Sequence, residues 1–176
     1  FIYSGRRGFL TMCVLIEELS RLKKSSMDAV DNDDSFSEFK QYMHVHRQVE
    51  TDLITTIERA KKSDKKSLIL VCGNVGDGKS HLISYLKHHK DNYLEGFYIH
   101  NDATESRSRS RNEKQELAKV LTDFSDENID NGSTSKVIVA INLGVLSNFI
   151  ESEEGSKVRK LAKYVADNKI LIDTDM

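Results

Sequence analysis

At 176 residues, with 38% hydrophobic and 31% charged residues, the chain has the composition of one soluble globular domain, or one domain with a small appendage. No apolar run approaches the length of a membrane-spanning helix. A formal net charge of -2 gives no global pull toward nucleic acid, so any DNA contact has to be local or belong to a partner.

The first segment, Phe1 to Thr11, lacks the long apolar centre and small-residue cleavage site of a secretory signal and stays unassigned, as upstream translation or a cloning remnant. Met12 to Leu22 carries Leu15, Leu19 and Leu22 at helical spacing. Asp28 to Ser35 is rich in Asp, Asn and Ser and reads as a linker. Phe36, Phe39 and Tyr42 then mark a short ordered stretch. A stronger helix is expected from about Arg47 to Lys61, with Val49, Leu53, Ile57 and Ala60 along one face. Residues 12–62 thus read as a helical N-terminal region. Lys61, Lys62, Lys65 and Lys66 follow, as a solvated turn helped by the helix dipole, with a nucleic-acid patch as the alternative.

Residues 63–176 read as a nucleotide-binding domain. Ser67-Leu68-Ile69-Leu70-Val71-Cys72 has the apolar, partly β-branched character of a buried parallel strand. Next comes Gly73-Asn74-Val75-Gly76-Asp77-Gly78-Lys79-Ser80, which fits the phosphate-binding pattern G-x-x-x-x-G-K-[ST]. Leu82, Ile83 and Leu86 then place an apolar stripe on a following helix. Glycines allow dihedrals that a side chain forbids and let the main chain approach phosphate oxygens. Amides around Gly76 to Ser80 converge at a helix N-terminus, where the dipole also favours an anion. Lys79 is expected on the β- and γ-phosphates and the Ser80 hydroxyl on Mg²⁺. Asp77 should face away from the phosphates, which would repel it. The binding set is Gly73, Asn74, Val75, Gly76, Asp77, Gly78, Lys79, Ser80 and His81, with ATP and Mg²⁺ as the cofactors.

Gly96 to His100 reads as a second strand, ending in Asn101-Asp102-Ala103-Thr104. The run Ser106-Arg107-Ser108-Arg109-Ser110-Arg111 is of low complexity and reads as an exposed loop, with phosphate contact as the alternative. Leu117, Val120, Leu121 and Phe124 mark a helix, and Asp126 to Ser135 a polar turn. Val137-Ile138-Val139-Ala140-Ile141 is the clearest remaining strand and ends at Asn142-Leu143-Gly144. A helix with Val158, Leu161 and Val165 follows, then the apolar run Ile170-Leu171-Ile172. This alternation predicts an α/β fold: a P-loop NTPase-type parallel sheet with flanking helices and right-handed crossovers. About a hundred residues follow the loop, fewer than a complete sheet of this class needs, so an incomplete core from a longer protein is expected.

Hydrolysis needs more than the loop. A second acidic residue usually ends a neighbouring strand, where it holds Mg²⁺ or positions water. Here the best strand ends in Asn142, which cannot act as a general base but can hold a water or sense the γ-phosphate. Asp102 closes the second strand. Lys79, Asn142 and Asp102 are therefore the catalytic candidates, whereas Asp126, Glu127 and Asp173 read as turn or cap residues. His44, His46, His81, His88, His89 and His100 show no zinc-like spacing. His88 and His89 read as solvated at a helix end, and His100 as a packing residue. Cys13 and Cys72, the two cysteines of the chain, read as reduced core thiols of a cytoplasmic protein.

Five segments together resemble the DptF family, the DNA phosphorothioation-dependent restriction proteins of bacteria. They are Ser35 to Lys40, Leu68 to Leu82, Tyr98 to Ser106, Asp123 to Ile129 and Ala140 to Leu146. The resemblance runs from roughly Met12 to the end, which corresponds to the N-terminal part of a family member. Phe1 to Thr11 and the Ser-Arg run have no counterpart in it. It implies a role in defence, in cells that mark DNA by replacing a non-bridging phosphate oxygen with sulfur. A complex of the DptF-like protein and two partner proteins then acts on unmarked DNA. Gly73 to Ser80 would be its ATP loop, DNA would be met through the complex, and the chain could oligomerise. No membrane partner is expected. Three readings follow: an ATPase subunit coupled to DNA or partner rearrangement, a nucleotide-gated switch with little hydrolysis, and, least supported, a small-molecule kinase, since no arginine-bearing lid is evident.

Overall fold

In the computed structural model the described residues are 16, 17, 19, 20, 38–89, 92–101 and 111–171. The chain divides into two compact units, residues 1–44 and 45–176. In the first, Ile16, Glu17, Leu19 and Ser20 are helical. A five-residue helix α1 spans Glu38–Tyr42. The rest of the Met12–Leu22 helix, the Asp28–Ser35 linker, Phe36 and Cys13 lie outside the described residues.

The second unit begins with α2, Gln48–Lys61. Its buried stripe is Glu50, Leu53, Ile57 and Ala60, while Val49, expected on that face, is exposed. The shift by one position has a local cause. The Glu50 carboxylate is satisfied by the His46 ring, Nδ1 to Oε2 at 3.0 Å, so a charged residue can occupy the inward position. After α2 come strand β1 (Ser67–Gly73), helix α3 (Lys79–His89), strand β2 (Tyr98–Asn101) and helix α4 (Arg111–Val120). A 3₁₀ turn at Thr122–Phe124 leads toward strand β3 (Lys136–Asn142), helix α5 (Leu143–Ile150), a second 3₁₀ turn (Glu154–Lys157) and helix α6 (Arg159–Asp167).

The three strands form one parallel sheet in the order β1-β3-β2. The central strand is buried from Val137 to Ile141, as the continuous apolar run of a strand covered on both faces requires. Alternation then sorts the core. Ile69, Val71, Ile138 and Ala140 point to one face, under Leu53, Ile57 and Ala60 of α2 and Leu82, Ile83 and Leu86 of α3. Val137, Val139 and Ile141 point to the other, under Leu117 and Leu121, Leu146 and Phe149 of α5, and Val158 and Val165. Strand order reverses between the two crossovers, from β1 past β3 to β2 and then back. Crossovers of one hand must therefore lie on opposite faces, and α3 and α4 do.

Three expectations need correction. Helix α5 starts directly after β3, where the sequence reading had only a strand end before the Val158 helix; Asn142 caps it. His88 and His89 are only partly solvated. Both are half-buried, with His88 Nδ1 2.8 Å from the Ser84 carbonyl and His89 stacked on Tyr85 at 4.7 Å between ring centroids. The lysine turn is partly tied down: Lys61 Nζ donates to the Asn92 carbonyl, and Lys66 Nζ donates to the carbonyls of Asp123 at 3.0 Å and of Asn128. Ile170 and Leu171 lie in a turn and pack on the second core. Among the described residues no helix is long and apolar enough to cross a membrane.

Candidate functional site

Residues 74–78 join β1 to α3 in a closed turn. The Asp77 amide donates to the Asn74 carbonyl at 3.3 Å, and the Asn74 amide donates to Asp77 Oδ2 at 2.5 Å. The Asp77 carboxylate is thus turned back onto the start of the loop. That accounts for Gly73, because a Cβ there would stand 2.6 Å from Asp77 Oδ2. Gly76 (φ 89°) and Gly78 (φ 80°) occupy left-handed backbone that L side chains rarely adopt. The Gly78 carbonyl accepts from Leu82 at 2.9 Å and starts the helix. Amides of the first turn of α3, at Lys79, Ser80 and His81, have no acceptor within a helix and carry the positive end of its dipole.

Lys79 folds back over this turn. Its Nζ donates to the carbonyls of Gly73 at 3.0 Å and Asn74 at 2.7 Å. An ammonium has three donors, so one remains for an anion. Cys72, half-buried just before the loop, has its thiol pKa pushed up by burial, with the Lys79 charge opposing that shift. The thiol is therefore protonated at neutral pH.

The sheet brings two strand ends to this loop. Asn142, last in β3, pairs in register with Gly73. Its Oδ1 accepts the Gly144 amide at 2.7 Å and caps α5. Asn101, last in β2 and paired with Ala140, meets the loop through a side chain: the Ser80 hydroxyl donates to its Oδ1 at 3.0 Å. Asp102, the Ser106–Arg111 loop and Asp173 lie outside the described residues, apart from the backbone of Arg111 in α4. Buried His100 belongs to β2.

Two residues at this site escaped the sequence reading. Asn101 carries a signal that was available: Ile99 packs on the α3 face, and strand alternation sends residue 101 to that same face. Arg47 carries none. Its Nη1 donates to the Asp77 carbonyl at 3.0 Å across a separation of 30 residues, which no local pattern encodes.

Among the described residues no group of three or more His, Cys, Asp or Glu could hold a metal ion. A divalent cation here would depend on Ser80 Oγ together with phosphate oxygens and water, a donor set that suits Mg²⁺, which keeps several waters when bound. In comparison with known proteins, no family model, no curated protein and no solved structure matches the chain.

Proposed function

We propose that the chain is an ATP-binding module and serves as the ATPase subunit of a bacterial phosphorothioation-dependent restriction system acting on unmodified DNA. The observation that carries the nucleotide half is the placement of Lys79. Its ammonium sits on the Gly73 and Asn74 carbonyls at the N-terminus of α3, with left-handed Gly76 and Gly78 shaping the turn. Such a turn presents amides, a helix dipole and one cation to a polyphosphate. A glycine turn between β1 and α3 of a small parallel sheet is also compatible with part of a P-loop NTPase core. The restriction half, with its two partner proteins and DNA met through the complex, rests on the sequence resemblance.

In this reading Lys79 binds the β- and γ-phosphates, the first-turn amides of α3 orient the chain of phosphates, and Ser80 holds Mg²⁺ with Asn101 accepting behind it. The ion, when bound, neutralises charge between the phosphates. A second reading, a nucleotide-gated switch with little hydrolysis, is favoured by one specific feature. Among the described residues, the last of β2 and the last of β3 at this end of the sheet, Asn101 and Asn142, are neutral amides and cannot take a proton from water.

The deciding experiment compares Mg²⁺-ATP binding and turnover by the wild-type chain and Lys79→Ala. Losing a charge-assisted contact of this kind weakens ATP binding about 10- to 100-fold, with the fold retained. Wild-type turnover abolished in the variant identifies an ATPase; Lys79-dependent binding without turnover identifies the switch. ATP affinity equal in the two proteins overturns both.

A further inference from the structure

Arg47 reaches the phosphate loop from outside the β1-α3 unit that forms it. It is the capping position of α2, with extended backbone at φ -128° and ψ 156°. Its Nη1 donates to the Asp77 carbonyl at 3.0 Å. Its Nη2 lies 3.0 Å from where a Cβ on Gly78 would stand. Gly78 is required by its left-handed φ of 80°, and the guanidinium is seated against it.

The arginine is itself braced. On the preceding residue, His46 Nδ1 pairs with Glu50 Oε2 at 3.0 Å and Nε2 with Thr51 Oγ1 at 3.2 Å, both in the first turn of α2. The Arg47 carbonyl accepts the Glu50 amide at 2.9 Å. Glu50 is 3% exposed, so the anchor of this bracket is set in the core. The His46–Arg47 step is thus fixed at both ends, and an exposed guanidinium projects from it onto the Asp77–Gly78 turn. Among the described residues no carboxylate pairs with that guanidinium, so its charge adds to that of Lys79.

We propose that Arg47 is a positioning residue of the phosphate site. It holds the Asp77–Gly78 peptide in the orientation that lets the following amides converge, and it raises the positive potential at the loop. The inference rests on the nucleotide reading above and adds a contact supplied by α2, not by the loop. It concerns the polyphosphate and not the base, because the atoms Arg47 touches belong to the loop itself.

The test is calorimetric binding of ATP and of inorganic triphosphate to the full chain, as wild type, Arg47→Ala, Arg47→Met and Lys79→Ala. Arg47→Met keeps the apolar stem and removes every donor, so it serves if the alanine variant folds poorly. Both Arg47 variants should lose about ten-fold in affinity for both probes, and the loss should shrink at high salt as the charge is screened. A loss for ATP with inorganic triphosphate unaffected would overturn the proposal and make Arg47 a base contact. Unchanged affinity for both probes, in a chain whose binding still depends on Lys79, overturns this inference alone. Failure of the wild-type chain to bind either probe overturns the nucleotide reading and this inference with it.

Discussion

The Ser80 hydroxyl and the Asn101 amide oxygen meet at 3.0 Å, and in the proposed nucleotide site the chemistry of that acceptor would set how firmly Mg²⁺ is held. An amide oxygen is a neutral partner; a carboxylate would be a stronger acceptor and a direct ligand for a hard cation. Replacing Asn101 by Asp changes few atoms and adds one charge beside the hydroxyl. We expect Asn101→Asp to tighten Mg²⁺ binding by the ATP-loaded chain about ten-fold, read by titrating the metal at fixed ATP. Unchanged or weaker metal binding would mean that Asn101 does not stand behind the ion. Individual residues were unequally legible in the sequence. The loop could be read position by position because each glycine and the lysine answer to a local geometric demand. Asn101 is not marked by the pattern of an acid at a strand end, and Asn142, at the end of the clearest strand, is engaged in capping α5.

Helix α6 shows how an element can be stable against its own sequence. Its first turn holds Arg159 and Lys160 and no acid, so the side chains there oppose the dipole. The compensation comes from the turn after α4: Asp126 Oδ2 accepts the Arg159 amide and Oδ1 the Lys160 amide, each at 2.9 Å. One carboxylate thus satisfies two open amides and brings negative charge to the positive end. Asp126→Ala should cost about 1–2 kcal/mol, measured as a lower thermal midpoint, whereas Asp126→Asn should retain part of that cap. A melting curve equal to wild type for Asp126→Ala would show that water replaces the carboxylate at no cost. The cap role of Asp126 was legible from its place in a polar turn, but its client, 33 residues on, was not. Helix α5 was hidden for another reason. Leu143 to Ile150 is only eight residues long, has Ser147 and Asn148 as its only polar side chains, and follows β3 with no turn residue between them, so it reads as a continuation of the apolar strand.

Over the whole second unit, three parallel strands and two cores place every loop contact at one end of the sheet. Strand content and direction followed from the sequence because the apolar runs are short and flanked by turn residues. The order β1-β3-β2 could not be read that way, since pairing joins residues far apart in the chain. That order has a mechanical result. Gly73 and Asn142 share the last rung between β1 and β3, and Asn142 also fastens the Gly144 amide at 2.7 Å. The loop and the start of α5 are therefore two ends of one short linkage. Anything that stiffens Gly73 should slow the opening at Gly144, and deuterium uptake at that single amide becomes a clock for loop occupancy. We expect its exchange to slow when a polyphosphate is added to the wild-type chain and to stay fast in Lys79→Ala; equal rates in all three samples would mean that the rung carries no motion across the sheet.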